Sequence, residues 1–143
     1  MIRLRKLYTF PEITKPIFFE DGLNFILGER DESSNKTNGV GKSMSMEFLN
    51  FCLLRREGGS RVLKIPKTVL SPDTQICLDI EINCDPLTII RTTQNPDTPE
   101  LIIKGERIQF DTADNALKYL NDVFYSKGSD INLNPSFREL INP

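Results

Sequence analysis

Six residues, Asn38-Gly39-Val40-Gly41-Lys42-Ser43, have types and a spacing that suit one chemistry, the holding of a phosphate chain. Gly39 and Gly41 let the main chain fold tightly with its N–H groups turned toward phosphate oxygens. A helix starting there adds unpaired amides and the positive end of its dipole. Lys42 would then reach the β- and γ-phosphates of ATP, and the Ser43 hydroxyl would help hold Mg²⁺ beside them. Met44 completes the candidate nucleotide-contacting set. The string G-x-G-K-[ST] arises by chance in roughly one chain of this length in two hundred, so its surroundings must decide. Here an apolar "LNFIL" runs into Gly28, and "SMSMEFLNFCLLRR" follows Lys42, which is the order strand, turn, helix.

The full pattern G-x-x-x-x-G-K-[ST] places another glycine five residues before Gly41, and that position is Lys36. Gly28 and Glu29 already end the strand where a compact loop begins. Removing Arg30 to Thr37, "RDESSNKT", restores the glycine spacing. A phosphate loop over 28–43 with an insertion at 30–37 is therefore expected. The insertion is polar and neutral in sum, as a solvated excursion would be. Alternatively, Lys36 or Arg30 folds back onto the nucleotide or onto a partner.

The elements that must position this loop are legible in part. Ile2 and Leu4 alternate with Arg3 and Arg5, which predicts a first strand ending near Pro11. Glu20-Asp21-Gly22 between "PIFF" and "LNFILG" predicts a hairpin turn, because Asp-Gly accepts positive φ. Leu23 to Leu27 is apolar on both faces and reads as a buried central strand. After Lys42, residues Met44, Phe48, Leu49, Cys52 and Leu53 fall nearly in line on a buried helix, with Arg55 and Arg56 at its negative end and Gly58-Gly59 as the stop. From Gln75 the period changes to two, and an antiparallel meander is expected over 75–110. Asp111 or Thr112 then caps a helix over 112–127, whose apolar face is Ala113, Ala116, Leu117, Leu120, Val123 and Phe124, with Gly128 to end it. The tail after Gly128 shows no clear period.

Composition narrows the chemistry further. A length of 143 residues allows one domain, and a net charge of −2 supplies no global attraction to nucleic acid or acidic membranes. No apolar run approaches the ~18 residues of a membrane span, and "MIRLRKLYTF" has no signal-peptide block, so no membrane partner is expected. Cys52, Cys77 and Cys84 are odd in number and sit in apolar or strand-like surroundings; reduced core thiols in a cytoplasmic protein account for them. The chain has no histidine, which removes every Ser-His, Cys-His and His-metal mechanism.

Taken in order, a short first strand, "LNFILGE", "NGVGKS", an apolar helix and a meander resemble the N-terminal half of an ABC-type ATPase head. The nearest likeness is to the SMC and double-strand-break-repair branch, and "NPSFRELI" adds a likeness to bacterial SMC-like proteins associated with defence. That resemblance implies a mixed α/β P-loop NTPase fold, in which residues 1–143 form one partial domain, the N-terminal lobe. It also implies ATP and Mg²⁺ as cofactors. Implied partners are a C-terminal lobe with its coiled coil, a second head that completes each ATP site, and possibly DNA. The Asp-Glu pair, signature helix and switch histidine that complete hydrolysis in such heads have no counterpart here. By the same resemblance no catalytic residue lies in this chain, and alone it should bind ATP without turning it over. Two other readings stand beside it. The basic stretch 55–67, with Arg55, Arg56, Arg61, Lys64 and Lys67 against Glu57, suits DNA phosphates. A degenerate docking lobe, with the meander's apolar faces as its interface, is the second.

Overall fold

Residues 2–25, 39–55 and 60–124 are described in the computed structural model, the side chains of residues 39–42 excepted. In chain order they form β1 (Ile2–Phe10), β2 (Ile17–Phe18), α1 (Gly39–Cys52), a 3-10 helix (Arg61–Lys64), β3 (Gln75–Ile82), β4 (Asp85–Arg91), β5 (Glu100–Ile103), β6 (Glu106–Gln109) and α2 (Ala113–Phe124). The six strands make one sheet in the order β2-β1-β3-β4-β5-β6. Every neighbouring pair is antiparallel.

This architecture overturns the expected fold class. A P-loop NTPase head of the ABC/SMC type needs a phosphate loop leaving a buried strand of a helix-covered central sheet. Here Leu23, Asn24 and Phe25 lie outside any strand, with Leu23 80% and Phe25 76% exposed. The physical reason lies in the coverage of the sheet. A strand that is apolar on both faces is stable only where both faces are covered. In this chain α1 and α2 contribute to a single core together with Ile76, Leu78, Ile80, Ile82, Leu87, Ile89, Leu101 and Ile103, which share one sheet face.

The turn at Gly22 does form, with φ +93°. Asn24 closes it: its Oδ1 accepts the Glu20 N–H at 2.9 Å, and its Nδ2 donates to the carbonyls of Glu20 (2.9 Å) and Gly22 (3.2 Å). However, the hairpin partner of β2 is β1, through Lys6↔Phe18 and Leu7↔Ile17, and not the segment that follows the turn. Within β1 a register shift between Leu4 and Lys6 changes the phase of the pleat. Leu4 faces Ile80 and Leu7 faces Leu78, so apolar residues on both sides of the shift reach the core.

Residues 75–109 fold as the four consecutive strands β3 to β6. Asn83 and Cys84 (φ +52° and +71°) turn β3 into β4, and Lys104 and Gly105 (φ +52° and +82°) turn β5 into β6. Two successive positive φ values match the strand twist and make both connections tight. Cys84 is consequently exposed at a turn, whereas Cys52 and Cys77 are buried.

Helix α1 ends at Cys52, well before the expected glycine stop at 58–59, which lies outside the described residues. Leu54 takes the left-handed conformation, φ +62°. The N–H of Leu54 bonds Phe51 O at 3.2 Å and that of Arg55 bonds Asn50 O at 3.4 Å, which is the paired closure of a Schellman cap. A leucine holds this position because its side chain is fully buried. Relief of the ~1 kcal/mol left-handed penalty is smaller than the ~3 kcal/mol lost by emptying a leucine site. Leu54→Gly should therefore destabilise the fold by about 2 kcal/mol in urea unfolding. A neutral result would mean that backbone strain dominates there.

At α2 the ambiguity between Asp111 and Thr112 is resolved: the Thr112 hydroxyl accepts the Asn115 N–H at 3.1 Å. Ala113, Ala116, Leu117 and Leu120 are buried, while Val123 is 37% exposed. The helix is described to Phe124; Gly128 and the tail lie outside the described residues.

Candidate functional site at the mouth of α1

Helix α1 begins on Gly39, so Gly39-Val40-Gly41-Lys42-Ser43 forms its first turn and not a separate loop before it. Of the expected phosphate loop over 28–43, residues 39–43 are described, and they are helical. The first four N–H groups of a helix have no partner within it. No acidic residue occupies this first turn, the positive end of the helix dipole. Ser43 is exposed, and Met44 is half-buried. Asn38, Gly28, Glu29 and the insertion at 30–37 lie outside the described residues.

Beside this turn is a groove of about 270 Å³ between α1 and the chain that follows β1. Leu7, Ile17, Met44 and Phe48 supply its apolar walls, with Thr9 and Lys15 at its polar positions. Thr9 is buried, and its hydroxyl accepts the Ile13 N–H at 3.0 Å, which holds the 9–13 turn in place. The sequence singled out Met44 but not the segment 14–17. That segment's approach to α1 depends on the β1–β2 pairing, which was not foreseen.

For Mg²⁺ the chemistry of the donors fits in part. A hydroxyl at the helix mouth, with phosphate oxygens and waters, suits a cation that retains much of its water. Glu47 stands one turn below Ser43 on the same face. One of its carboxylate oxygens is buried without a hydrogen-bond partner among the described residues, and the other lies 3.9 Å from Arg61 Nε. Nothing in the sequence marks Glu47, since a glutamate within a helix usually belongs to a solvated face.

None of the exposed cations Arg55, Arg61, Lys64 and Lys67 lines the groove. Arg55 follows the far end of α1, whose 14 residues span roughly 21 Å, and Arg61 reaches back to the middle of the helix, 3.9 Å from Glu47. Arg56 and Glu57 lie outside the described residues. The meander's apolar face is the core of the molecule: Ile76, Leu78 and Ile82 are each fully buried. It is not the docking face considered from the sequence.

On the opposite sheet face, Tyr8 lies across from Cys77, and its phenol is pushed up to about 12 by burial first, then by Cys77 and Asp79. Burial likewise pushes the Cys77 thiol up to about 11. These groups are held neutral and are not activated. Because the folded state favours the neutral phenol, the contribution of Tyr8 is complete below pH ~10 and fades as pH rises through about 12. Absorbance titration should show tyrosinate forming near pH 12, a step missing from Tyr8→Phe.

No known family profile matches the chain. No solved structure matches it either. Over 75 residues, 52% of the chain, it is 33% identical to the uncharacterized protein YydD of Bacillus subtilis (strain 168). The matched stretch is 12% of that relative's length. Among the described residues, no helix is long and apolar enough to cross a membrane.

Proposed function

We propose that this chain binds ATP with Mg²⁺ at the mouth of α1 and serves as one half of a composite ATP site. One observation carries this reading: a 14-residue helix opens on Gly39-Val40-Gly41-Lys42-Ser43, with no acidic residue in its first turn. The first-turn amides and Lys42 bind the β- and γ-phosphates, and Ser43 holds the magnesium ion among phosphate oxygens and water. The groove walled by Leu7, Ile17, Met44 and Phe48 receives the base. Magnesium, when bound, neutralises phosphate charge; the protein's own part is to grip and orient the phosphate chain.

Hydrolysis needs a residue that positions water, and the sequence supplies no histidine and no Asp-Glu pair after an apolar run. A second polypeptide segment or a second copy completes the site, and the chain alone binds without turnover. On the sequence resemblance, the setting is a cytoplasmic ATPase acting in DNA transactions or anti-phage defence. Calorimetric titration with Mg-ATP tests the reading, and absence of any binding at millimolar ATP would end it.

A further inference from the structure

The sheet ends on one side at β2, two residues long, and on the other at β6, four residues long. β6 pairs with β5 in an unbroken register. One bond shows which of its main-chain groups point outward. The Phe110 N–H donates to Pro99 O at 3.0 Å, so by the alternation of an antiparallel ladder Ile108 and Glu106 also turn theirs toward β5. Arg107 and Gln109 turn theirs away, and among the described residues no strand meets them. The chain then folds inward and not over this edge. The Ala113 N–H reaches Asp97 Oδ1 at 3.4 Å, and Ala116, Leu117 and Leu120 join the core.

We propose that β6 is a self-association surface, on which a second copy of this chain lays its own β6 antiparallel, with the two-fold axis at Ile108. An open strand edge offers donors and acceptors at the spacing another strand requires, and a two-fold pairing of one edge with itself is closed. Hydrogen bonds form only where outward residues oppose each other, which allows an axis at Arg107, Ile108 or Gln109. An axis at Arg107 sets two guanidinium groups face to face, which is repulsive. An axis at Gln109 gives Arg107 a mate at Asp111, where the chain has already bent out of the strand. The axis at Ile108 sets Arg107 against Gln109 in both directions, within the strand and without opposed like charges.

The side chains fit that register. Arg107 is already engaged by Glu100, so its charge does not bar a neighbour. Ile108, half-buried on the core face opposite Leu101, gains an isoleucine as its mate. Beside it the apolar surface continues into a groove of about 340 Å³ lined by Tyr119, Val123 and Phe124, with Glu106 at its rim. Phe110 of the second copy arrives opposite Glu106. At the hairpin tip, exposed Lys104 comes level with Thr112 of the second copy, beside the acidic start of its α2 at Asp111 and Asp114. β3, β4 and β5 separate β6 from β1, which walls the groove beside α1, so this contact does not rest on nucleotide binding.

A four-residue edge is short beside the ~1,200 Å² that stable complexes bury, so a dissociation constant of roughly 0.1–1 mM is expected. Sedimentation equilibrium of the full chain up to about 1 mM should show a reversible dimer without nucleotide. Ile108→Lys should remain monomeric there with an unchanged circular-dichroism spectrum. A cysteine scan keeps the test open should that variant misfold. In a Cys84→Ser background, which removes the exposed thiol, Ile108→Cys should cross-link to a disulfide dimer several-fold faster than Arg107→Cys or Gln109→Cys. Residues facing each other in a non-hydrogen-bonded pair lie about 4.5 Å apart at Cα, within disulfide reach. The proposal is overturned if the wild type stays monomeric, if Ile108→Lys dimerises as the wild type does, or if cross-linking is not fastest at 108. A dimer that forms only with Mg-ATP would place the contact at the mouth of α1 and overturn it as well.

Discussion

Arg91→Met is expected to cost about 3 kcal/mol of folding free energy, a large share of what a domain of this size has. Arg91 is 1% exposed and stands on the core face of β4, opposite Ile76. Its Nη1 donates to the carbonyls of Phe51 at 2.6 Å and Arg55 at 2.8 Å, and its Nε donates to Pro96 O at 2.9 Å. The guanidinium also lies 4.1 Å from the centre of the Phe51 ring. It thus places a cation at the negative end of α1 and ties that end to the loop between β4 and β5. Methionine fills much of the volume but leaves these carbonyls without their donor, and each orphaned group costs ~1–3 kcal/mol. Relief of the buried charge offsets only part of that loss. Arg91→Lys should recover less than half, because an ammonium cannot span three carbonyls as a planar fork does. Urea unfolding measures both variants. A loss below ~1 kcal/mol for Arg91→Met would show that the clamp contributes little beyond packing.

Lys42→Ala is expected to weaken Mg-ATP binding about 100-fold, equivalent to ~2.7 kcal/mol. The lysine supplies the charge-assisted contact to the terminal phosphates, while the helix amides remain in the variant. The fold should be unchanged, since the fully buried residues of α1 among those described run from Phe48 onward. Calorimetry with parallel thermal melts separates the two effects. Unaltered affinity would remove Lys42 from the site, and a fall in melting temperature matching the lost affinity would assign it a structural role instead.

How far the sequence disclosed this molecule depended on whether a signal was local. The alternation of Ile76, Leu78, Ile80 and Ile82 corresponds residue for residue to the buried face of β3. The apolar line from Phe48 to Leu53 is the buried side of α1. The expected strand over Leu23–Leu27 fails over its described part, Leu23–Phe25, because two-faced apolarity describes what a segment needs, and among the described residues both helices contribute to the core on one sheet face. The end of α1 was placed too late because glycine is the usual left-handed cap, and Leu54 occupies that position through burial. Arg91, in "LTIIRTTQ", looked like the polar end of a strand; only the arrival of α1's last carbonyls makes it central. The types around Gly39 to Ser43 suggested an anion site, yet the groove formed with residues 14–17 depends on the tertiary pairing of β1 with β2.

The pairing of β1 with β3 joins Phe10 to Gln75 and so closes an excursion of roughly sixty residues that contains the whole of α1. The pairings among β3, β4, β5 and β6, by contrast, each join neighbours in sequence. The order of assembly follows from this difference in loop length. The hairpins of the meander form early and without long-range help, while the N-terminal strand docks last. Until it docks, the edge of β3 stands open with its run of isoleucines, and the newly made chain is at its most aggregation-prone in that interval.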